Sequence, residues 1–285
     1  DLHSFPTRRS SDLEPDIIKA FLGELETGRS CSPSTRNQRL SAIHAFAKFI
    51  GLNSPEHVEW CRNVQMIPFK RTKRALITYL EKSEMATLLN APDRKTEQGR
   101  RDYAILLFLY NTGARADEAA GLKVNEVNII TASKRELPTV LIRGKGNKSR
   151  RCPLWQQTAL ELNTIITHRM PSQHVFLNRL KQPLTRFGIH AMVKRYVEQV
   201  VKQLPSIKKK KVSPHTIRHT TATHLLQAGV DINTIRAWLG HVSINTTNIY
   251  AEVDLEMKAK ALACCEIEGN GTPTHWKDNK DLMAF

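Results

Sequence analysis

Residues Pro214 to Tyr250 read PHTIRHTTATHLLQAGVDINTIRAWLGHVSINTTNIY. Ser213 and Pro214 open a helix here: a serine caps the first free N–H groups, and proline suits the first helical position. The helix carries His215 and Arg218, three residues apart. His241 stands later in the stretch, and Tyr250 follows nine residues after it. Together these groups are an inventory for holding a phosphodiester and attacking it. Taken singly, each has an ordinary reading. Tyr250 can be a core aromatic, His215 a helix-start cap, and Trp238 and Leu239 core residues. His219 and His224 read as structural.

The composition narrows the partner. The chain has 285 residues, with 43 Lys and Arg against 27 Asp and Glu, a formal charge of +16. Such an excess points to a polyanion, because neutralising phosphates releases counterions. The length suits one large or two modest domains, and the 40% of hydrophobic residues is enough for a real core. The five cysteines, Cys31, Cys61, Cys152, Cys264 and Cys265, form no CxxC pair, and no HExxH occurs. They read as reduced thiols, neither a disulfide frame nor a zinc site. No apolar run reaches the ~18 residues of a membrane span; Leu106 to Tyr110 is apolar but short and reads as a buried helix.

Upstream of the quoted stretch lie two further chemical segments. Thr112-Gly113-Ala114-Arg115-Ala116-Asp117-Glu118 ends one helix at Gly113 and begins another. Arg115 therefore sits in a first helical turn, where an anion also meets free N–H groups, and Glu118 follows one turn on. Val127–Ile130, Thr139–Arg143 and Ser149–Leu154 read as short strands. Between the last two, Gly144-Lys145-Gly146-Asn147-Lys148 is a hairpin tip carrying Lys145 and Lys148. It is no phosphate-binding P-loop, since GxxxxGK[ST] is absent. Helices are expected at Glu84–Asn90, capped by Ser83, at Asp102–Asn111, at Gln156–His168 and at Thr185–Gln203. Lys208, Lys209, Lys210 and Lys211 form a basic loop just before Ser213.

Towards the N-terminus, His3 to Leu13, HSFPTRRSSDL, looks like the in-frame translation of a sequencing-library adapter. Residues 1–13 are set aside on that ground. Residues 14–66 read as a helical DNA-binding module, shortened if the adapter replaced its first helix. Leu40, Ile43, Phe46, Ala47 and Ile50 line the apolar face of its second helix, with Arg36, Arg39 and Lys48 on other faces. Residues 67–78 form a basic linker with Arg71, Lys73 and Arg74 available to a DNA backbone. A larger domain spans 79–266, and 267–285 is a tail.

These segments together resemble the tyrosine recombinases, the phage-integrase and Xer-type family. TGARADEAAGLKV is similar to the family's first box, RGKGNKSRRCPL to its lysine hairpin, SPHTIRHTTATHLLQAGVDINTIRAWLGH to its second box, and TTNIYAEVD to its nucleophile box. The resemblance covers about Glu14 to Ala263 and implies a mostly α fold with a small antiparallel β-sheet. That fold has an N-terminal helical SAM-like core-binding domain and an α+β catalytic domain. It implies catalytic Arg115, Lys145, His215, Arg218, His241 and Tyr250, with Glu118 in support.

The chemistry suits these residue types. Two guanidiniums hold both non-bridging oxygens of a phosphate and stabilise the charge of the transition state. His241 adds a donor. Tyr250, with an ordinary pKa of about 10, needs those cations or a base such as His215. Lys145 is the general acid that the resemblance implies for the 5′-oxygen. A phosphotyrosyl bond conserves the energy of the broken one, so no ATP, metal or other cofactor is expected.

The implied partners are double-stranded DNA and, after Asp254, a helix docking on a neighbouring subunit in a homotetramer. Neither a membrane nor a small-molecule substrate is expected, and the location is the nucleoid region of a bacterial cytoplasm. Two other readings compete. One is a type IB topoisomerase-like enzyme that relaxes supercoils as a monomer. The other is a decayed scaffold that binds DNA without cutting it.

Overall fold

The structure, a computed structural model, describes residues 14–72, 77–129, 137–144, 146 and 148–240. Lys73, Arg74, Lys145, His241 and Tyr250 lie outside the described residues, as do the adapter-like segment 1–13 and the tail. The chain divides into two compact units, Asp1–Ala75 and Leu76–Phe285.

The first unit is helical. Helices α1 (Pro15–Thr27), α2 (Pro33–Asn53) and α3 (Val58–Gln65) start at sites that local chemistry marks. Ser32 Oγ accepts the Thr35 N–H at 3.2 Å, with Pro33 at the first helical position. Ile18, Leu22, Leu25, Leu40, Ala47, Val64 and Ile67 close the core. Burying each large aliphatic side chain contributes about 1.5–3 kcal/mol.

Two expectations change here. Phe46 is exposed, so the apolar face of α2 is narrower than its sequence pattern. Residues Ile67 to Lys70 belong to this unit. Ile67 is in its core, and Asn37 bonds the Lys70 backbone through both its amide nitrogen (2.8 Å) and its oxygen (3.0 Å).

In the second unit, a three-stranded antiparallel sheet of order β1 (Val127–Asn128), β2 (Thr139–Arg143) and β3 (Ser149–Pro153) packs among helices. The register pairs Thr139 with Pro153 and Arg143 with Ser149, which fixes the base of the expected hairpin. Val140 and Ile142 face the core, as the two-residue strand period dictates. The helices are α4 (Lys82–Leu89), α5 (Glu97–Thr112), α6 (Ala116–Gly121), α7 (Gln156–Ile166), α8 (Arg186–Val201), α9 (Pro214–Gln227) and α10 (Ile232–Leu239). The cap of α4 is not Ser83: the chain enters at Glu81, whose N–H donates to Glu84 Oε2 at 2.8 Å.

Helix α5 begins five residues before its expected start at Asp102. Thr96 Oγ1 accepts from Gly99 N–H at 2.9 Å, and any Cβ at Gly99 would sit 1.9 Å from the Asp93 carbonyl oxygen. The opening EQGRRD carries no apolar period and hides this turn: Glu97, Gln98 and Arg100 are exposed, and only Gly99 and Asp102 turn inward. Asp102 is fully buried and accepts from Arg101 Nη2 (2.5 Å), Arg195 Nη2 (2.6 Å) and the Tyr196 hydroxyl (2.9 Å). An unpaired carboxylate at that depth would cost several kcal/mol. The second half of α5, Ala104 to Leu109, is buried on every side and forms the middle of the core with Phe176, Ile189, Val193 and Ile217.

No described helix is long and apolar enough to cross a membrane.

Candidate active site

Three of the residues expected to act together are described, and the fold gathers them from two elements, α6 and α9. Arg115 is the N-cap of α6, reached through the left-handed turn at Gly113 (φ 60°) that ends α5. Its backbone N–H donates to Glu118 Oε2 at 2.9 Å and its Nη1 to Glu118 Oε1 at 2.6 Å. The Arg115 side chain keeps 38% of its surface in solvent, while that of Glu118 keeps 1%. Arg115 thus presents a guanidinium at the surface, aimed by a carboxylate beneath it.

His215 lies in the first turn of α9 and is exposed. Arg115 and His215 line one open cleft of about 340 Å³, together with Asp117, Arg186, Phe187 and His190. The His215 imidazole titrates below its ordinary range, because its packed flank loses hydration and because Arg218, Arg115 and His190 oppose a further positive charge. It is therefore neutral at physiological pH and can accept a proton. Its ring meets His219 edge-on, 4.5 Å between centroids. Burial first, then the charges of His215 and Arg218, depress His219 to about 4.

Arg218 lies deeper than its expected role required. It is 1% exposed, with Nη1 donating to the Gly113 carbonyl and Nη2 to the Leu239 carbonyl, both at 2.6 Å. Carbonyls at helix C-termini lack intrahelical partners and carry negative partial charge, so they draw a cation inward. The guanidinium is anchored by the ends of α5 and α10 at once. His224 has a structural place: its Nδ1 lies 2.8 Å from the Tyr110 hydroxyl, and Tyr79 packs edge-on against its ring.

Arg150 was not among the expected site residues. Its Nη2 donates to Glu118 Oε2 at 2.7 Å, its Nη1 to Glu118 Oε1 at 3.2 Å, and its Nε to the Trp238 carbonyl at 2.8 Å. Burial alone would raise the Glu118 pKa, but the hydrogen bonds and charge of Arg150, followed by those of Arg115, hold it at about 2. Strand alternation was the available signal, since it places Arg150 on the same face of β3 as the buried Cys152. Arg186 and His190, on the cleft wall, were also missed. They lie on α8, whose sequence pattern shows a core face formed by Ile189, Val193 and Tyr196.

The expected DNA-facing cations separate into two groups. Arg39, Arg71, Lys148, Lys208, Lys209 and Lys211 are exposed. Arg36 is not: it is 7% exposed and donates to the Pro68 carbonyl at 2.9 Å, tying the end of its unit to α2. Lys210 also has an internal task. Its Nζ lies 2.6 Å from Glu84 Oε2, and that carboxyl, itself buried, also accepts from Ser206. Arg36 is held by a backbone carbonyl and Lys210 by a carboxylate, so both have structural tasks rather than free surface charge.

Residues 78–257 match the phage integrase family model. The chain belongs to this family. The protein y4rC of Sinorhizobium fredii, which carries an integrase/recombinase name, is 36% identical over 276 residues, 96% of this chain and 81% of its relative. The tyrosine recombinase XerC of Bacillus subtilis is 29% identical, over 80% of this chain and 73% of XerC. Among solved structures, the Tn1549 transposon integrase in complex with a circular intermediate DNA superposes with a TM-score of 0.70 at 17% identity. That match covers 90% of this chain and 87% of the integrase, and it shows a shared fold. As a member of this family the chain is a tyrosine-type site-specific DNA recombinase, and a supercoil-relaxing enzyme is not favoured.

Proposed function

We propose that the chain breaks DNA by attack of the Tyr250 oxygen on a phosphodiester, forming a 3′-phosphotyrosyl bond. The O5′ leaves with a proton from Lys145, and the phenolic proton passes to the neutral His215. Arg115 from the surface, Arg218 from beneath and His241 hold the phosphate oxygens. Rejoining reverses these steps: a 5′-hydroxyl attacks the phosphotyrosine and releases the phenol. Exchange between two sites by this route passes through a Holliday junction.

The observation that supports this reading is the meeting of Arg115 and His215 across one cleft, with Arg218 close enough to depress the His215 pKa. These residues come from segments a hundred positions apart, and a surface salt-bridge reading of Arg115 gives no reason for that convergence. Arg39, Arg71, Lys148, Lys208, Lys209 and Lys211 are proposed to follow the DNA backbone, with Lys73 and Arg74 of the intervening chain. Four protomers on two sites and service to a mobile element complete the proposal. The Tn1549 neighbour, a transposon integrase, supports the last point.

The test is covalent capture. The chain is incubated without ATP and with EDTA on nicked duplexes from the flanks of its gene, and adducts are resolved on denaturing gels. An adduct that disappears in Tyr250→Phe, while DNA binding persists, is the expected result. Tight binding by the wild type with no adduct on any duplex would support the decayed-scaffold reading.

A further inference from the structure

Arg150 is largely enclosed in the second unit and holds a supporting residue of the site, Glu118; its three hydrogen bonds tie together three elements. It lies on β3, opposite Ile142, at the base of the hairpin whose tip carries Lys145. Two of its nitrogens hold the two oxygens of Glu118, which in turn fixes Arg115. Its Nε holds the Trp238 carbonyl, one residue before the Leu239 carbonyl that Arg218 holds.

We propose that Arg150 is a positioning residue that sets the Arg115 guanidinium, the base of the lysine hairpin and the end of α10 as one unit. The inference rests on the catalytic reading of Arg115 and Lys145.

Three features make an arginine fit this place. A planar fork meets both carboxylate oxygens while Nε points elsewhere; a lysine ammonium, a point donor on a flexible stem, cannot span these partners in one fixed geometry. The side chain is only 10% exposed, so water cannot readily take over the bonds. The neighbouring backbone is also shaped around it. Gly240, in the left-handed region at φ 67°, leaves room that a Cβ would fill to 3.2 Å from Arg150 Cδ and Nη1. Glu118 is faced by Arg115 at the start of α6 and by Arg150 and Cys152 from β3, and the charge of Arg218 on α9 also reaches Cys152. Losing Arg150 therefore leaves Glu118 with Arg115 as its remaining close partner, and the two relax together.

Two readouts test this in the full chain. The first needs no DNA. Hydrogen exchange in Arg150→Met is expected to quicken at Gly144 and at Gly240, on two elements far apart in sequence, while α5 and α9 keep their protection. Unchanged exchange at either glycine, or loss of protection throughout the unit, would overturn the proposal.

The second readout is single-turnover cleavage of a nicked duplex that captures the wild type. Arg150→Met should cleave about 10²-fold more slowly, the scale of a displacement near 1 Å in a reacting group, with DNA affinity unchanged. Arg150→Lys, which keeps the charge and the fold, should fall between the two. Wild-type cleavage by Arg150→Lys, or a loss of affinity matching the loss of rate, would sink the idea. If the wild type forms no adduct, the tyrosine reading fails, and hydrogen exchange alone decides the role of Arg150.

Discussion

Glu118 accepts from Arg115 twice, once from the backbone N–H at 2.9 Å and once from Nη1 at 2.6 Å. The carboxylate thus starts the helix and aims the guanidinium in the same act. Its pKa falls from 4.5 to about 2 in the folded protein. A depressed carboxyl contributes stability that is present above 4.5 and lost as pH falls toward 2. The loss is on the order of 3 kcal/mol. Glu118→Gln should lose about 3–5 kcal/mol at neutral pH, the range for breaking a buried pair. It should also flatten the stability curve in that acid window. Urea unfolding from pH 7 to pH 3 checks both.

His219 adds a second, separate acid effect. Its pKa drops from 6.5 to about 4 on folding, so the unfolded chain takes up the proton first. Stability present above 6.5 is lost as pH falls toward 4, before Glu118 titrates. His219→Gln should remove this step and leave the Glu118 window in place. A histidine-resolved NMR titration gives the pKa directly; a value at or above 6.5 would contradict the burial argument.

Gly113 tests the turn that delivers Arg115. Its φ is 60°, and an added Cβ would lie 2.5 Å from Leu239 Cδ2. The left-handed backbone costs an L-residue roughly 1–2 kcal/mol, and overpacking about 1–3 kcal/mol more. Gly113→Ala should therefore destabilise by about 2–5 kcal/mol and slow cleavage beyond its effect on folding, since the Gly113 carbonyl holds Arg218. Thermal melts and single-turnover rates, compared at one temperature below the melt, separate the two effects.

In the helical first unit, two arginines three residues apart should behave in opposite ways. Arg39→Ala, at an exposed position, should weaken DNA binding and lower the salt slope by about one phosphate. Arg36→Met should leave the slope unchanged and lower the stability of its unit, because its Pro68 bond is lost. Equal slopes for the two variants would mean that Arg39 does not meet a phosphate.

Lys145 has a chemical test of its own. Lys145→Ala should slow cleavage strongly on ordinary DNA, and a substrate with sulfur at the 5′-bridging position should recover much of the rate. A thiolate leaves without a proton, so rescue singles out the proton donor. Equal slowing on both substrates would remove the general-acid role.

Much of the fold was legible because its signals are local. The hairpin followed from a Gly-Asn turn between alternating strands, and its register came out with Arg143 opposite Ser149. The caps at Ser32 and Ser213 were visible as single residues before a proline. What sequence patterns did not disclose were polar groups turned inward. Asp102 is one, buried among partners that come from α8, about ninety residues away. Arg36 and Lys210 looked like surface charge for the same reason, since each carbonyl or carboxylate partner is distant in the chain. Of the site, Arg115 and His215 could be named from their boxes. Arg150 could not, because its meaning lies in Glu118 and Trp238, on two other elements.

Helix α5 works as a spacer of set length. One end is pinned by Asp102 to Arg195 and Tyr196; at the other, the Gly113 carbonyl holds Arg218. Between them runs a stretch buried on all sides that has no room to bulge. Residues along a helix advance about 1.5 Å and turn about 100° each. A single alanine inserted between Tyr103 and Phe108 would therefore swing the Gly113 carbonyl away from its guanidinium even if every side chain of the cleft were untouched. The placement of the buried arginine is in that sense dead reckoning, counted in residues from the ion cluster at Asp102.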